Sequence, residues 1–207
     1  MNTTPESSSN SMPESAADEA RIASGLARQA QTGDEHAFGE LVKMYHARLY
    51  GVVFNVVRNP EDARELAQIT WVKAWNKIGT FKADAGFFTW LYRIATNTSL
   101  DFLRSKGRRH EESLSARRDD GPEADIELPA DESWRPDRSV EQSEVQKAFE
   151  AALDKLTPEH RMALTLREVE GLSYREIAVA MKCRVGTVMS RIFYARKLIQ
   201  EEMRGLL

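Results

Sequence analysis

The stretch 173–200, SYREIAVAMKCRVGTVMSRIFYARKLIQ, decides the reading of the fold: it spells two short helices joined by a tight turn, the second of them basic. Ser173 followed three residues later by Glu176 predicts a capping box, each side chain satisfying a backbone N–H at a helix start. Ile177, Ala178 and Met181 supply a first apolar stripe. After Lys182-Cys183-Arg184, the residues Val188, Ile192, Ala195 and Ile199 follow the helical period. Two small amphipathic helices on a shared core make a helix-turn-helix, a motif that enters the major groove of duplex DNA. The opposite face of the second helix carries Arg184, Thr187, Ser190, Arg191, Tyr194 and Lys197, donors able to reach base edges or phosphates. Gly186 removes a side chain near the start of that helix, where its backbone must come closest to a partner. Glu176 is the one acid in this stretch against six bases, whereas a merely solvated face mixes signs. Regulators, recombinases and repressors all use such motifs, so the motif alone names no function.

Working outward, the charges divide the 207 residues into modules. Residues 1–20 sum to -4, residues 21–110 to +6, residues 111–150 to -8 and residues 151–207 to +3. The net charge of -3 therefore conceals two basic bodies separated by an acidic connector. The boundaries expected are a disordered tail over 1–20, a helical domain over 21–110, a flexible acidic linker over 111–140 and a second helical domain over 141–207. The tail is rich in Ser, Pro, Asn and Glu with almost nothing to bury, and lacks the basic start and apolar core of a secretory signal. No run approaches the length needed to span a bilayer, so a cytoplasmic protein without membrane insertion is expected. The one cysteine, Cys183, excludes an intrachain disulfide, and four scattered histidines give no metal-ligand spacing. No nucleophile, carboxylate pair or metal cluster converges, so neither catalytic residues, nor metal, nor cofactor, nor enzymatic activity is expected.

The first domain reads as helical throughout. Gly33 ends one helix and Asp34 caps the next, where Ala37, Phe38, Leu41, Val42, Tyr45, Leu49, Val52 and Val53 trace an apolar stripe. Asn59-Pro60-Glu61-Asp62 is a strong helix start: a capping side chain, a proline whose missing N–H costs nothing, and acids at the positive end of the dipole. Ala63, Ala67, Trp71, Ala74 and Ile78 line one side of that helix. Leu66, Gln68, Ile69, Val72 and Trp75 spread around the rest, and either a partner or the core can account for them. A third helix is expected from about Gly86 to Arg104, with Arg93, Asn97, Asp101 and Arg104 on one face, leading into Lys106, Arg108 and Arg109. Bases there supply sequence-independent affinity for phosphate, and Asn97 and its neighbours can read bases. The preceding loop, Phe81 to Phe87, is small and partly aromatic, suited to holding a base taken out of the stack.

NPEDARELAQITWVKAW, FKADAGFFTWLYRIATNTSLDFLR and LTPEHRMALTLREVEGLSYREIAVAMKCRVGTVMSRIFYARKL together resemble the extracytoplasmic-function sigma factors of the sigma-70 family. The resemblance covers about residues 25–110 and 141–203 in the family's order. It implies an all-α chain of two small helical domains, sigma domain 2 and sigma domain 4, that binds core RNA polymerase and directs it to promoters. It implies that the helix over 61–78 docks on the clamp helices of the largest polymerase subunit, with Leu66, Gln68, Trp71 and Trp75 as candidates. It implies that residues 81–104 open the -10 element and capture a base, with Asn97, Asp101 and Arg104 on the reading face. By the same resemblance the helix-turn-helix reads the -35 element and touches the polymerase flap, the linker threads the RNA-exit path, and an anti-sigma factor is a possible partner. Ile69 stands where the family usually has an acid, Tyr194 replaces a usual base, and Arg184 occupies a position more often Pro or Ser. The readings that compete with this one are a stand-alone helix-turn-helix regulator and a protein-interaction adaptor.

Overall fold

The computed structural model describes residues 16–82, 86–117 and 144–204, and among these every regular element is a helix. Four helices build the first body: α1 (Ala16–Gln31), α2 (Glu35–Val57), α3 (Pro60–Lys77) and α4 (Phe87–Arg117), with a 3-10 turn at Ile78–Thr80. Four more build the second: α5 (Glu144–Lys155), α6 (Pro158–Glu168), α7 (Tyr174–Ala180) and α8 (Val185–Glu202).

The helix boundaries fall where local chemistry dictates. Gly33 takes φ 94°, a left-handed turn that glycine adopts without steric cost, and Asp34 then accepts from the N–H of Ala37. Asn59 accepts from the N–H groups of Glu61 and Asp62 at 3.0 and 2.9 Å, with Pro60 at the first helical position. Two expected limits move. Residues 16–20, read as part of a disordered tail, form the first turn of α1, because Ala23, Ala27 and Ala30 give that helix a small-residue stripe buried against α2. The third long helix continues past Arg104 to Arg117, so it crosses the expected domain limit at 110. Residues 1–15 of the expected tail, residues 118–140 of the acidic linker and the loop residues 83–85 lie outside the described residues.

α2 is the central strut. Leu41, Tyr45, Leu49, Val52, Val53 and Val56 are all buried, facing α1, α3 and α4. Gln31 at the end of α1 donates to the carbonyls of Ile78 and Phe81 at 3.0 and 2.9 Å, which ties α1 to the entry of the loop before α4. In the second body, Met162, Ala163, Leu166, Ile177, Ala180, Val188, Ile192 and Ala195 close the core of α6, α7 and α8.

The two bodies are packed together rather than held apart. α6 lies on α2, and both α6 and α7 touch α4. The buried apolar residues of both bodies form one connected cluster. Polar contacts rivet the seam: Arg58 Nε to Asp154 at 2.8 Å, Arg104 to Glu159 at 3.4 Å, and Arg48 to Glu170 at 3.1 Å. Arg48 also pairs with Glu19 of α1 at 2.8 Å, and its guanidinium lies 3.9 Å over the Phe88 ring. Glu170 is almost fully buried, 5% exposed at the side chain, so this pair is the least solvated of the three.

Candidate nucleic-acid and polymerase interfaces

Three surfaces answer to the residues singled out in the sequence. The first is the outer side of α3. Leu66 and Trp71, expected to dock on a partner, are instead core residues, 3% and 7% exposed, because the helix turns both toward α2. Trp71 packs edge-on against Phe38 with ring centroids 5.8 Å apart. Both are therefore corrected to structural roles. Gln68 is exposed and Trp75 half-buried, while Val72, which the sequence left open between partner and core and the resemblance did not pick out, is 56% exposed. Gln68 and Val72 are spaced four apart and form one turn of open surface, flanked by the half-buried Ile69. An apolar residue at 72, one turn beyond Gln68 and off the alanine stripe, was the available signal.

The second surface is the polar face of α4. Arg93, Asp101 and Arg104 are exposed and Asn97 half-buried, so the expected spacing does place them together. Asn97 Nδ2 donates to the carbonyl of Arg93 one turn earlier, which orients its amide along the helix. Arg104 pairs with Asp101 at 3.3 Å and also reaches Glu159 of α6. Beside them lies a cavity of about 280 Å³ lined by Lys73, Lys77, Thr80, Trp90, Arg93, Ile94, Asn97, Thr98, Asp101 and Lys182. Four bases against one acid make it a cationic recess with an aromatic wall, chemistry that suits a nucleotide. Lys73, Lys77 and Lys182 were not singled out in the sequence, since they come from α3 and from the helix-turn-helix turn and meet only in three dimensions. Arg108 and Arg109 continue the basic surface, exposed, with Arg109 donating to Ser105 Oγ at 3.3 Å.

The third surface is α8. The capping box is formed: Ser173 N–H donates to Glu176 Oε2 at 2.8 Å and Glu176 N–H to Ser173 Oγ at 3.3 Å. Burial pushes the Glu176 carboxyl up, but the hydroxyl and N–H of Ser173, with Thr89 Oγ1 donating from α4, outweigh it and hold the carboxyl below the usual range. A carboxylate lowered by folding contributes fully above its ordinary pKa, and the contribution fades as pH falls through the lowered value. Replacing Ser173 by Ala is expected to cost about 1 kcal/mol at pH 7. Thermal unfolding at pH 7 and pH 3 should show a smaller difference between mutant and parent in acid.

Arg184 caps α8 by its backbone alone, and it is exposed together with Ser190, Tyr194 and Lys197. Thr187 and Arg191 are half-buried. Arg191 Nη1 lies 3.7 Å from Cys183 Sγ, and its charge adds to burial in lowering the pKa of His160. Cys183, half-buried in the turn, packs against the core. Met189 and Phe193, which the sequence reading passed over, are 53% and 62% exposed on the same helix. Among the described residues no cluster of His, Cys, Asp and Glu is arranged to hold a metal ion, and no helix is long and apolar enough to cross a membrane.

Residues 41–109 match the family model described as Sigma-70 region 2, and residues 146–199 match the one described as Sigma-70, region 4. The chain is 40% identical over 183 residues to the RNA polymerase sigma-H factor of Pseudomonas aeruginosa, covering 88% of this chain and 94% of that one. It is 37% identical over 192 residues to the ECF RNA polymerase sigma-E factor of Escherichia coli K12, again covering 88% and 94%. The chain belongs to the sigma-70 family, as an extracytoplasmic-function sigma factor. The first body is thus sigma domain 2 and the second sigma domain 4, and such a factor directs RNA polymerase to promoters. Among solved structures, the sigma factor RpoE in complex with the anti-sigma factor NepR from Bartonella quintana shares the fold. Its TM-score is 0.64 at 24% identity, covering 81% of this chain and 97% of that one. CnrH in complex with the cytosolic domain of CnrY gives a TM-score of 0.59 at 26% identity, covering 87% and 96%.

Proposed function

We propose that this sigma factor acts without chemistry of its own, in the cytoplasm, by dividing promoter recognition between three surfaces. Gln68, Val72 and Trp75 on α3 dock on the polymerase clamp helices. Asn97, Asp101 and Arg104 on α4, with Arg108 and Arg109, hold and open the -10 element, and the domain 2 wall of the cationic recess, Lys73, Lys77, Trp90 and Arg93, receives an unstacked base once the domains part and Lys182 leaves it. Arg184, Thr187, Ser190, Arg191, Tyr194 and Lys197 position α8 in the major groove of the -35 element. The observation that carries this reading is the presence, in one chain, of two separate basic reading faces and an uncovered α3 surface.

Promoter binding requires the two domains to part. The -10 and -35 elements lie about 25 base pairs apart, roughly 85 Å at about 3.4 Å per pair. α4 and α7 are in direct contact, so the closed arrangement cannot reach both. Polymerase therefore binds the open form, and an anti-sigma protein, of the kind NepR is for the Bartonella quintana factor, has the closed form available to it.

Run-off transcription with core polymerase across a genomic promoter library tests the whole. The expected result is a discrete set of start sites that appears only when the chain is added. Specific DNA footprinting without polymerase would instead make it a stand-alone regulator, and no change in start sites would make it an adaptor. Asn97→Ala should lower open-complex formation about tenfold while polymerase binding is retained, each good base contact being worth about 1–3 kcal/mol. Native gel shift with core polymerase separates the two effects.

A further inference from the structure

The recognition helix has an outer face that its core packing does not explain. Met189 and Phe193 are spaced one turn apart, 53% and 62% exposed, and Tyr194 beside them is 59% exposed. The Phe193 and Tyr194 rings meet edge to face at 5.5 Å, so they form one apolar ridge rather than isolated side chains. Val188, Ile192 and Ala195, which anchor the helix to the core, lie on the other side and are buried. Packing of domain 4 on domain 2 leaves the ridge open as well, since α7 rather than α8 meets α4.

What covers it is indicated by the surrounding charge. Residues 177–200 contain no acid, and Arg184 and Lys197 are exposed on the same helix, Lys197 lying 3.8 Å from Glu201 at the far end of it. An apolar protein partner would have to be strongly acidic at its rim, whereas duplex DNA supplies that rim as phosphate on both sides of the groove. Gly186 agrees. Its φ is not left-handed and a Cβ there would meet nothing within 4 Å, so neither turn geometry nor internal packing requires glycine. The missing side chain lowers the helix surface one turn before Ser190, which lets the backbone settle deeper into a groove.

The major groove presents one large apolar group, the C5-methyl of thymine. We infer that this sigma factor reads its -35 element chiefly through thymine methyl groups packed against Met189 and Phe193. Polar donors supply placement and the ridge supplies sequence preference. The inference rests on domain 4 reading the -35 element, and it goes beyond that reading by naming the groups read and the residues that read them.

The test removes the methyl group alone. Holoenzyme made from the full chain and core polymerase first selects its -35 element from a randomised library. Each thymine of the selected element is then replaced by deoxyuridine, which keeps every hydrogen-bonding group. The expected result is an element containing thymines, at least one of which loses about three- to fivefold in promoter affinity on replacement, the scale of one buried methyl. Phe193→Ala or Met189→Ala should bind thymine and deoxyuridine promoters equally at that position. Since both side chains are exposed, neither variant should lose thermal stability. A selected element without thymine overturns the inference, as does a thymine preference that both variants keep. In either case promoter-specific initiation survives and the sigma-factor reading stands; only a holoenzyme that selects no element would remove both.

Discussion

Trp71→Ala should cost domain 2 about 3–5 kcal/mol, whereas Val72→Asp, one residue on, should leave stability nearly unchanged and abolish tight polymerase binding. The contrast follows from burial. Trp71 is 7% exposed and packs against Phe38, so truncation leaves a cavity that the surrounding helices cannot fully close. Val72 is 56% exposed, so a carboxylate there stays hydrated in the free chain. On docking, that carboxylate would be stripped of water without a partner, an expense of several kcal/mol. Chemical denaturation and a polymerase binding titration make the pair of measurements. Normal polymerase affinity in Val72→Asp would remove the α3 outer face from the docking surface. Trp75, half-buried against Phe38 at 5.0 Å between ring centroids, should show a share of both effects.

Arg48→Ala should open the seam between the domains. The Arg48 guanidinium joins Glu19 of α1, the ring of Phe88 at the start of α4, and Glu170 just past α6, so three segments converge on one side chain. Without it, Glu170 is a nearly buried carboxylate with no cation beside it. Breaking a buried pair from one side costs about 3–5 kcal/mol, and the partial exposure of Arg48 scales this to about 2 kcal/mol. About 2 kcal/mol shifts a closed-to-open ratio roughly thirtyfold. Since only the open form spans a promoter, apparent affinity for polymerase should rise by the gain in open population. Small-angle scattering on the free chain should show expansion with helical content preserved, and the polymerase titration should tighten. An unchanged scattering profile would mean that the apolar part of the seam holds the domains without this pair.

Much of the local structure was written in the chain. The start of α2 at Asp34, of α3 at Asn59-Pro60 and of α7 at Ser173 each rests on a side chain capping its own backbone within three residues, so no distant contact can move it. The shared face of Arg93, Asn97, Asp101 and Arg104 is likewise a matter of helical period. The docking surface was less legible, because the period of α3 turns Leu66 away from Gln68 and sets Trp75 on nearly the same side as Gln68, but does not show which direction α2 will cover. α4 continues to Arg117 through Gly107, although Arg104 and Lys106 followed by a glycine read as a helix stop, because Gly107 keeps a helical rather than a left-handed backbone.

The sequence by itself determined the helices, their caps, the two-domain order and the family, since these depend on neighbours along the chain and on motifs of fixed spacing. Only the tertiary structure decided that Leu66 and Trp71 serve the core, and that Lys73, Lys77 and Lys182 gather around Asn97. It alone showed the two domains closed on each other through Arg48, Arg58 and Arg104. Those facts join residues far apart in the chain, whose meeting is set by how whole helices bury their faces rather than by any residue's immediate sequence.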